Sequence, residues 1–132
     1  MQVYECREIT MQRDMDLVRD LLLRLEADPL LDGTRWICLE PSELGFGGRS
    51  AEEVGYHLTL LIEAGFIDGQ VGIESLPILR RLTWQGHEFL DSIRDPDIWA
   101  KTKERTKGLT SVGLAFIWEI AKAEIRTKLG LS

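Results

Sequence analysis

The chain has 132 residues, of which 44% are hydrophobic and 29% charged, and a formal net charge of −6. That length and balance suit one domain with a core of its own and argue against wholesale disorder. A membrane span is disfavoured too, because no apolar run reaches the roughly 18 residues that one needs; the longest, Val112 to Ala123, is broken by Glu119 and Lys122.

The charge is unevenly spread. Residues 1–93 carry 8 basic and 17 acidic groups, whereas residues 94–132 carry 8 basic and 5 acidic. Phosphate binding comes mainly from Lys and Arg, so the N-terminal part is expected to be a poor general DNA binder. The two cysteines, Cys6 and Cys38, are too few for a disulfide framework and are expected to be reduced. His57 and His87 stand alone, with no CxxC or HxxxH spacing beside them. No metal or other cofactor is therefore expected. The N-terminal stretch MQVYECREITMQRDMD lacks an apolar signal core, so the expected location is cytoplasmic.

Taken in order, residues 1–10 read as a short strand or arm around Val3, Tyr4 and Ile9. Asp14 to Ala27 reads as a helix, with Met15, Leu17, Val18, Leu21, Leu22 and Leu25 at helical spacing. Asp28-Pro29 stops it. Asp32-Gly33 is a turn, and Arg35 to Leu39 a short strand. Glu43 to Arg49 is glycine-rich and loop-like, with room for a single turn around Pro41 to Leu44. Ser50 and Glu53 have capping-box spacing before a helix whose apolar face is Val54, Leu58, Leu61 and Ile62. Gly65 closes that helix.

Phe66-Ile67 then starts a strand, Asp68-Gly69 signals a turn, and Ile78 to Leu82 returns as the second strand. Strict alternation leaves only one of Arg80 and Arg81 on the solvent face. Thr83 caps a helix from Trp84 to Ile93 that is expected to bury Trp84, Phe89 and Leu90. Arg94-Asp95-Pro96 ends it. Asp97 to Thr106 is a short basic helix, and Thr110 or Ser111 is expected to cap a last one running to about Leu129.

The segment HLTLLIEAGFIDG followed by ILRRLTWQGHEFLDSI resembles a winged helix-turn-helix. In such domains a leucine-rich helix ends on a glycine, a hairpin wing follows, and an "LT..G" sequence caps the next helix; here those positions are Leu82, Thr83 and Gly86. The stretches RDMDLVRDLL, YHLTLLIEAGFI, LTWQGHEFLDSIRD and IWAKTKE also resemble an uncharacterised bacterial and prophage family, domain of unknown function 2513. That resemblance runs from Met11 onward and implies a bacterial or phage origin, but no activity. The expected fold class is α+β: an arm at 1–10, a winged-helix-like domain at 11–95 and a C-terminal helical extension at 96–132.

Three functional readings follow. In the first, the domain is an interaction module that binds a protein partner and forms a homodimer through its last helix. Leu114, Ile117, Trp118, Ala121 and Ile125 would form the seam, because the apolar residues of that helix cover more than one stripe. In the alternative, it is a winged-helix DNA-binding regulator. Tyr56 and Thr59 would then face the groove while Arg49, Arg80, Lys101, Lys103 and Arg105 met phosphates. Glu52, Glu53 and Glu63 on the same helix oppose that reading. The third, acid–base catalysis by His57 with Glu63 or by His87 with Asp91, lacks a nucleophile motif or a phosphate-binding loop, and no enzyme is expected.

Overall fold

The computed structural model describes residues 13–72, 76–108 and 113–131. The expected arm at 1–10, residues 73–75 and the expected caps Thr110 and Ser111 lie outside them.

The first helix, α1 (Met15–Glu26), starts where its sequence provides an N-cap: the Asp14 carboxylate accepts the amides of Asp16 and Leu17 at 3.0 and 3.2 Å. A two-residue strand, β1 (Ile37–Cys38), follows, then a single 3₁₀ turn at Pro41–Leu44. Helix α2 (Ala51–Glu63) is capped by Ser50, whose hydroxyl accepts the Glu53 amide at 3.0 Å. Only that half of the expected capping box forms, because the Glu53 carboxylate is drawn to Arg49 at 3.1 Å.

Strands β2 (Ile67–Val71) and β3 (Pro77–Leu82) form an antiparallel hairpin, and β1 pairs with the other edge of β3. The sheet order is β1-β3-β2. Asp68-Gly69 is not a turn as expected. Both residues lie in the ladder, which continues to Val71 opposite Pro77. The turn signal there marks a bulge instead. Asp68 pairs with Arg81 and Gly69 with Leu79, so Arg80 is an extra residue on β3. This overturns the alternation argument. Leu79 and Leu82, three apart, are both buried, while Arg80 and Arg81 both reach outward to the Asp68 carboxylate, at 2.6 and 3.6 Å.

Helix α3 (Trp84–Ile93) is capped by Thr83, as expected. The Thr83 hydroxyl accepts the Gly86 amide at 3.0 Å and donates to the Gly65 carbonyl at 2.6 Å. Its amide donates to the Phe66 carbonyl at 3.0 Å. The start of α3 is thereby tied to the end of α2. Gly86 makes this possible: a Cβ there would sit 3.0 Å from the Phe66 carbonyl carbon and closer still to its oxygen. Trp84 was expected to be buried, but it is 77% exposed. It is the first residue of α3, and the buried side chains of that helix are Phe89, Leu90 and Ile93, further along.

Helix α4 (Pro96–Thr106) follows directly, with Asp95 accepting the amides of Asp97 and Ile98. The last helix, α5 (Leu114–Lys128), begins with Gly113 at its N-cap. One core joins all of this. Leu17, Leu21 and Leu25 of α1, Leu58 and Leu61 of α2, Leu79 of β3, Phe89 and Leu90 of α3, Ile98 of α4, and Ile117 and Ala121 of α5 form a single buried cluster. Each large aliphatic or aromatic side chain so placed contributes about 1.5–3 kcal/mol of hydrophobic stabilisation. Among the described residues the result is an α+β fold with five helices and a small antiparallel sheet, compatible with a winged-helix-like arrangement. No described helix is long and apolar enough to cross a membrane.

Candidate interaction site

The residues expected to meet nucleic acid or a second subunit fall into three groups: the outer face of α2 with β3, the basic helix α4, and the apolar flank of α5.

Around α2, Arg49 is held from two sides. Its guanidinium donates to the Asp14 carboxylate and to Glu53. Burial pushes the Asp14 carboxyl up, but the Arg49 hydrogen bond and the Leu17 and Asp16 amides outweigh it and hold the group below the usual carboxylate range. Thr59 is half-buried and donates its hydroxyl to the Gly55 carbonyl at 3.1 Å, within its own helix. Tyr56, also half-buried, meets the His57 ring edge-on with centroids 5.7 Å apart. On β3, Arg80 donates to Asp68 through two nitrogens, and its guanidinium carbon lies 4.6 Å from the centre of the Trp36 ring. Glu52 and Glu63 are exposed on α2. The face therefore presents carboxylates, while its arginines are engaged laterally.

The basic helix shows the same pairing. Lys101 lies 3.4 Å from Asp97, Lys103 donates to Asp16 at 3.0 Å, and Arg105 donates to Glu124 at 3.1 Å. Trp99 is not a surface aromatic beside them. It is 5% exposed, and its indole N–H donates to the same Asp16 carboxylate at 2.8 Å. Arg94 makes a bidentate pair with Glu26, both bonds 2.8 Å, and reaches Asp91 as well. Lys103 and Arg94 thus tie the basic C-terminal part to the acidic N-terminal part, while Lys101 and Arg105 pair within the C-terminal part itself.

The flank of α5 expected to form a dimer seam is covered by its own chain. Ile117 and Ala121 are buried, and Leu114, Trp118 and Ile125 pack against the core cluster. The Trp118 ring stands edge-on to Phe66 and Phe89, with centroids at 5.9 and 5.6 Å, and its N–H donates to the Ser92 hydroxyl at 3.0 Å. The stripe of α5 that carries Ile117 and Ala121 packs into the angle between α3 and α4, with Ile120 buried beside it, whereas Phe116 is exposed. Of the five, Leu114, Trp118 and Ile125 remain partly exposed.

Both histidines have partners within the chain. His57 is fully buried. Its Nε2 accepts the Asp14 amide at 2.8 Å, so the proton sits on Nδ1, which faces the Glu53 carbonyl at 2.8 Å. The ring links the start of α1 to α2. His87 lies 3.2 Å from Glu26 on α1, not against Asp91, which pairs with Arg94 instead. Cys38 is exposed with a free thiol. Among the described residues, no group of three or more potential metal ligands gathers.

One surface escaped sequence reasoning. Beside the exposed Trp84 lies a cavity of about 260 Å³, bounded by Leu25, Leu31 and Leu82 with Glu26, Asp32, Arg81 and His87 around them. The only sequence signal for it was the position of Trp84 directly after a cap, where a helix is still leaving its neighbours.

A protein of Haemophilus influenzae (strain Rd), described as uncharacterised, is 39% identical over 125 residues, covering 90% of this chain and 99% of that protein. No solved structure matches the chain significantly. The family profile described as "Hypothetical protein (DUF2513)" matches residues 12–113, and the chain belongs to that family.

Proposed function

We propose that the chain is a non-enzymatic interaction module of bacterial or phage origin, built on a winged-helix-like core and binding protein rather than DNA. In this reading α1 and β1 are the first helix and strand, the 3₁₀ turn replaces the support helix, α2 stands in the recognition position and β2–β3 is the wing.

The observation that carries the reading is the internal pairing of the basic side chains. Arg49, Arg80, Lys101, Lys103 and Arg105 each have a carboxylate partner within the chain. To bind phosphate they would have to leave those partners. DNA would also approach Glu52 and Glu63 on α2, where a groove-reading helix normally brings neutral or basic groups.

The test is fluorescence anisotropy of labelled mixed-sequence duplex with the full chain, from low to physiological salt. The expected result is no binding at any salt concentration. Binding that weakens steeply with salt, and that disappears when Lys101 and Arg105 are both changed to Glu, would overturn the reading in favour of a DNA-binding regulator.

A further inference from the structure

We infer that the outer face of α2 docks a basic segment of a partner protein. This names the partner's chemistry for the protein-binding reading and depends on that reading.

Helix periodicity sets the face. Val54, His57, Leu58 and Leu61 are buried on the inner side of α2. Tyr56, Thr59 and Glu63 follow Glu52 by four, seven and eleven residues, so these side chains share the opposite side. Glu52 and Glu63 are exposed, and Tyr56 and Thr59 half-buried. The 3₁₀ turn widens the face. It packs against α2 at Gly55, where a Cβ would stand 3.4 Å from Pro41 Cγ, and it brings the exposed Glu40 and Glu43 alongside.

Charge selects the occupant. Other carboxylates close onto a cation of the same chain: Asp14 and Glu53 onto Arg49, Asp68 onto Arg80, Glu26 onto Arg94. Among the described residues, Glu40, Glu43, Glu52 and Glu63 have no such cation. Arg49, directly before α2, does not offset them, because Asp14 and Glu53 already hold it. The face therefore carries uncompensated negative charge, in a chain whose net charge is −6. Such a surface repels phosphate, acidic proteins and a copy of itself, and attracts a partner rich in Lys and Arg. Glu52 and Glu63 stand about 16 Å apart along the helix axis, a distance that an extended segment covers in about five residues. A basic group at each end of that segment would meet a carboxylate. The Tyr56 ring between them can receive the stem of an arginine or lysine.

The experiment is fluorescence anisotropy of the full chain with a labelled Arg-Ala repeat peptide of about ten residues, long enough to span the face. A Glu-Ala repeat of equal length is the reference probe. Wild type is expected to bind the Arg-Ala peptide, more weakly as salt rises, and to ignore the Glu-Ala peptide. Glu52→Gln with Glu63→Gln should weaken binding about fivefold. Glu40→Gln with Glu43→Gln should act in the same direction, and it decides the matter if the first pair of changes lowers the melting temperature. Glu88→Gln with Glu104→Gln is the control. It removes the same charge from exposed residues of α3 and α4, and should leave the affinity within about twofold. No binding of the Arg-Ala peptide at low salt, or a loss in the α2-face variants no greater than in the control, overturns the inference. A chain that ignores both the peptide and duplex DNA loses this inference alone, whereas salt-sensitive binding of duplex DNA removes the protein-binding reading itself.

Discussion

Replacing Gly86 with alanine should destabilise the fold even though alanine is the better helix former. The Cβ would lie 3.0 Å from the Phe66 carbonyl carbon and closer to its oxygen. Optimal carbon–carbon separation is about 3.5–4.0 Å, so α3 or the Phe66 backbone must move by about half an ångström or more. Neither moves freely. The Phe66 amide donates to Leu61, and its carbonyl accepts from Thr83. Overpacking of this kind costs about 1–3 kcal/mol, and weakening the Thr83 bonds adds about 0.5–1.5 kcal/mol. Helix propensity returns about 1 kcal/mol. The net loss is about 0.5–3.5 kcal/mol, a fall in Tm of roughly 2–14 °C for a chain of this size. Gly55→Ala is the control. Gly55 also lies within a helix, but its added Cβ would meet only Pro41 Cγ, at 3.4 Å, so that variant should match wild type or gain up to about 1 kcal/mol. Thermal and urea melts of both variants decide the matter. A Gly86→Ala protein as stable as wild type would refute the close approach of α3 to the α2–β2 junction.

Trp118 tests how α5 packs. Changing it to Glu removes two edge-on ring contacts and the Ser92 hydrogen bond, so the variant should lose about 3–5 kcal/mol. An unaltered urea midpoint would show that the ring does not pack inside the chain. Glu26 gives a pH signature. The Arg94 guanidinium pushes its carboxyl below the ordinary value of 4.5, burial opposes the shift, and His87 adds to it. A depressed carboxyl stabilises the fold fully above its unfolded value and loses that effect as pH falls through the folded one. Glu26→Gln should therefore be less stable than wild type at neutral pH, and the gap should close below about pH 4.5. A gap that stays constant into acid would mean the pair contributes nothing.

Much of this fold is legible locally. Asp14, Ser50 and Thr83 each start a helix by accepting an amide two or three residues on, and such short-range chemistry survives in sequence. The β3 bulge does not. Alternation assumes one residue per ladder step, and nothing in Leu79-Arg80-Arg81-Leu82 reveals that its partner strand skips one. Trp84 misleads because hydrophobicity says what a side chain prefers, not whether a neighbour reaches its end of the helix. The partners of the candidate contacts are hidden for a related reason. Arg49, Lys103 and Arg105 look available in sequence, but their carboxylates lie 35, 87 and 19 residues away. The stripes of α5 correctly announced a large buried surface, without naming the chain that buries it.

The extra residue on β3 has a consequence for how this chain tolerates insertions and deletions. Removing Arg80 would restore a regular ladder: Leu79 and Leu82 would then stand two apart, on one face by plain alternation, with Ile67 still opposite Leu82 and Asp68 still opposite Arg81. The hairpin would lose the Arg80 pair with Asp68 and its contact with the Trp36 ring, but Thr83 would stay in register with the Gly65 carbonyl that it meets at 2.6 Å. An insertion or deletion elsewhere in β3 has no such escape, because a one-residue slip turns either Leu79 or Leu82 to solvent. The bulge is therefore the one place in this strand where the residue count can change without changing which side chains are buried.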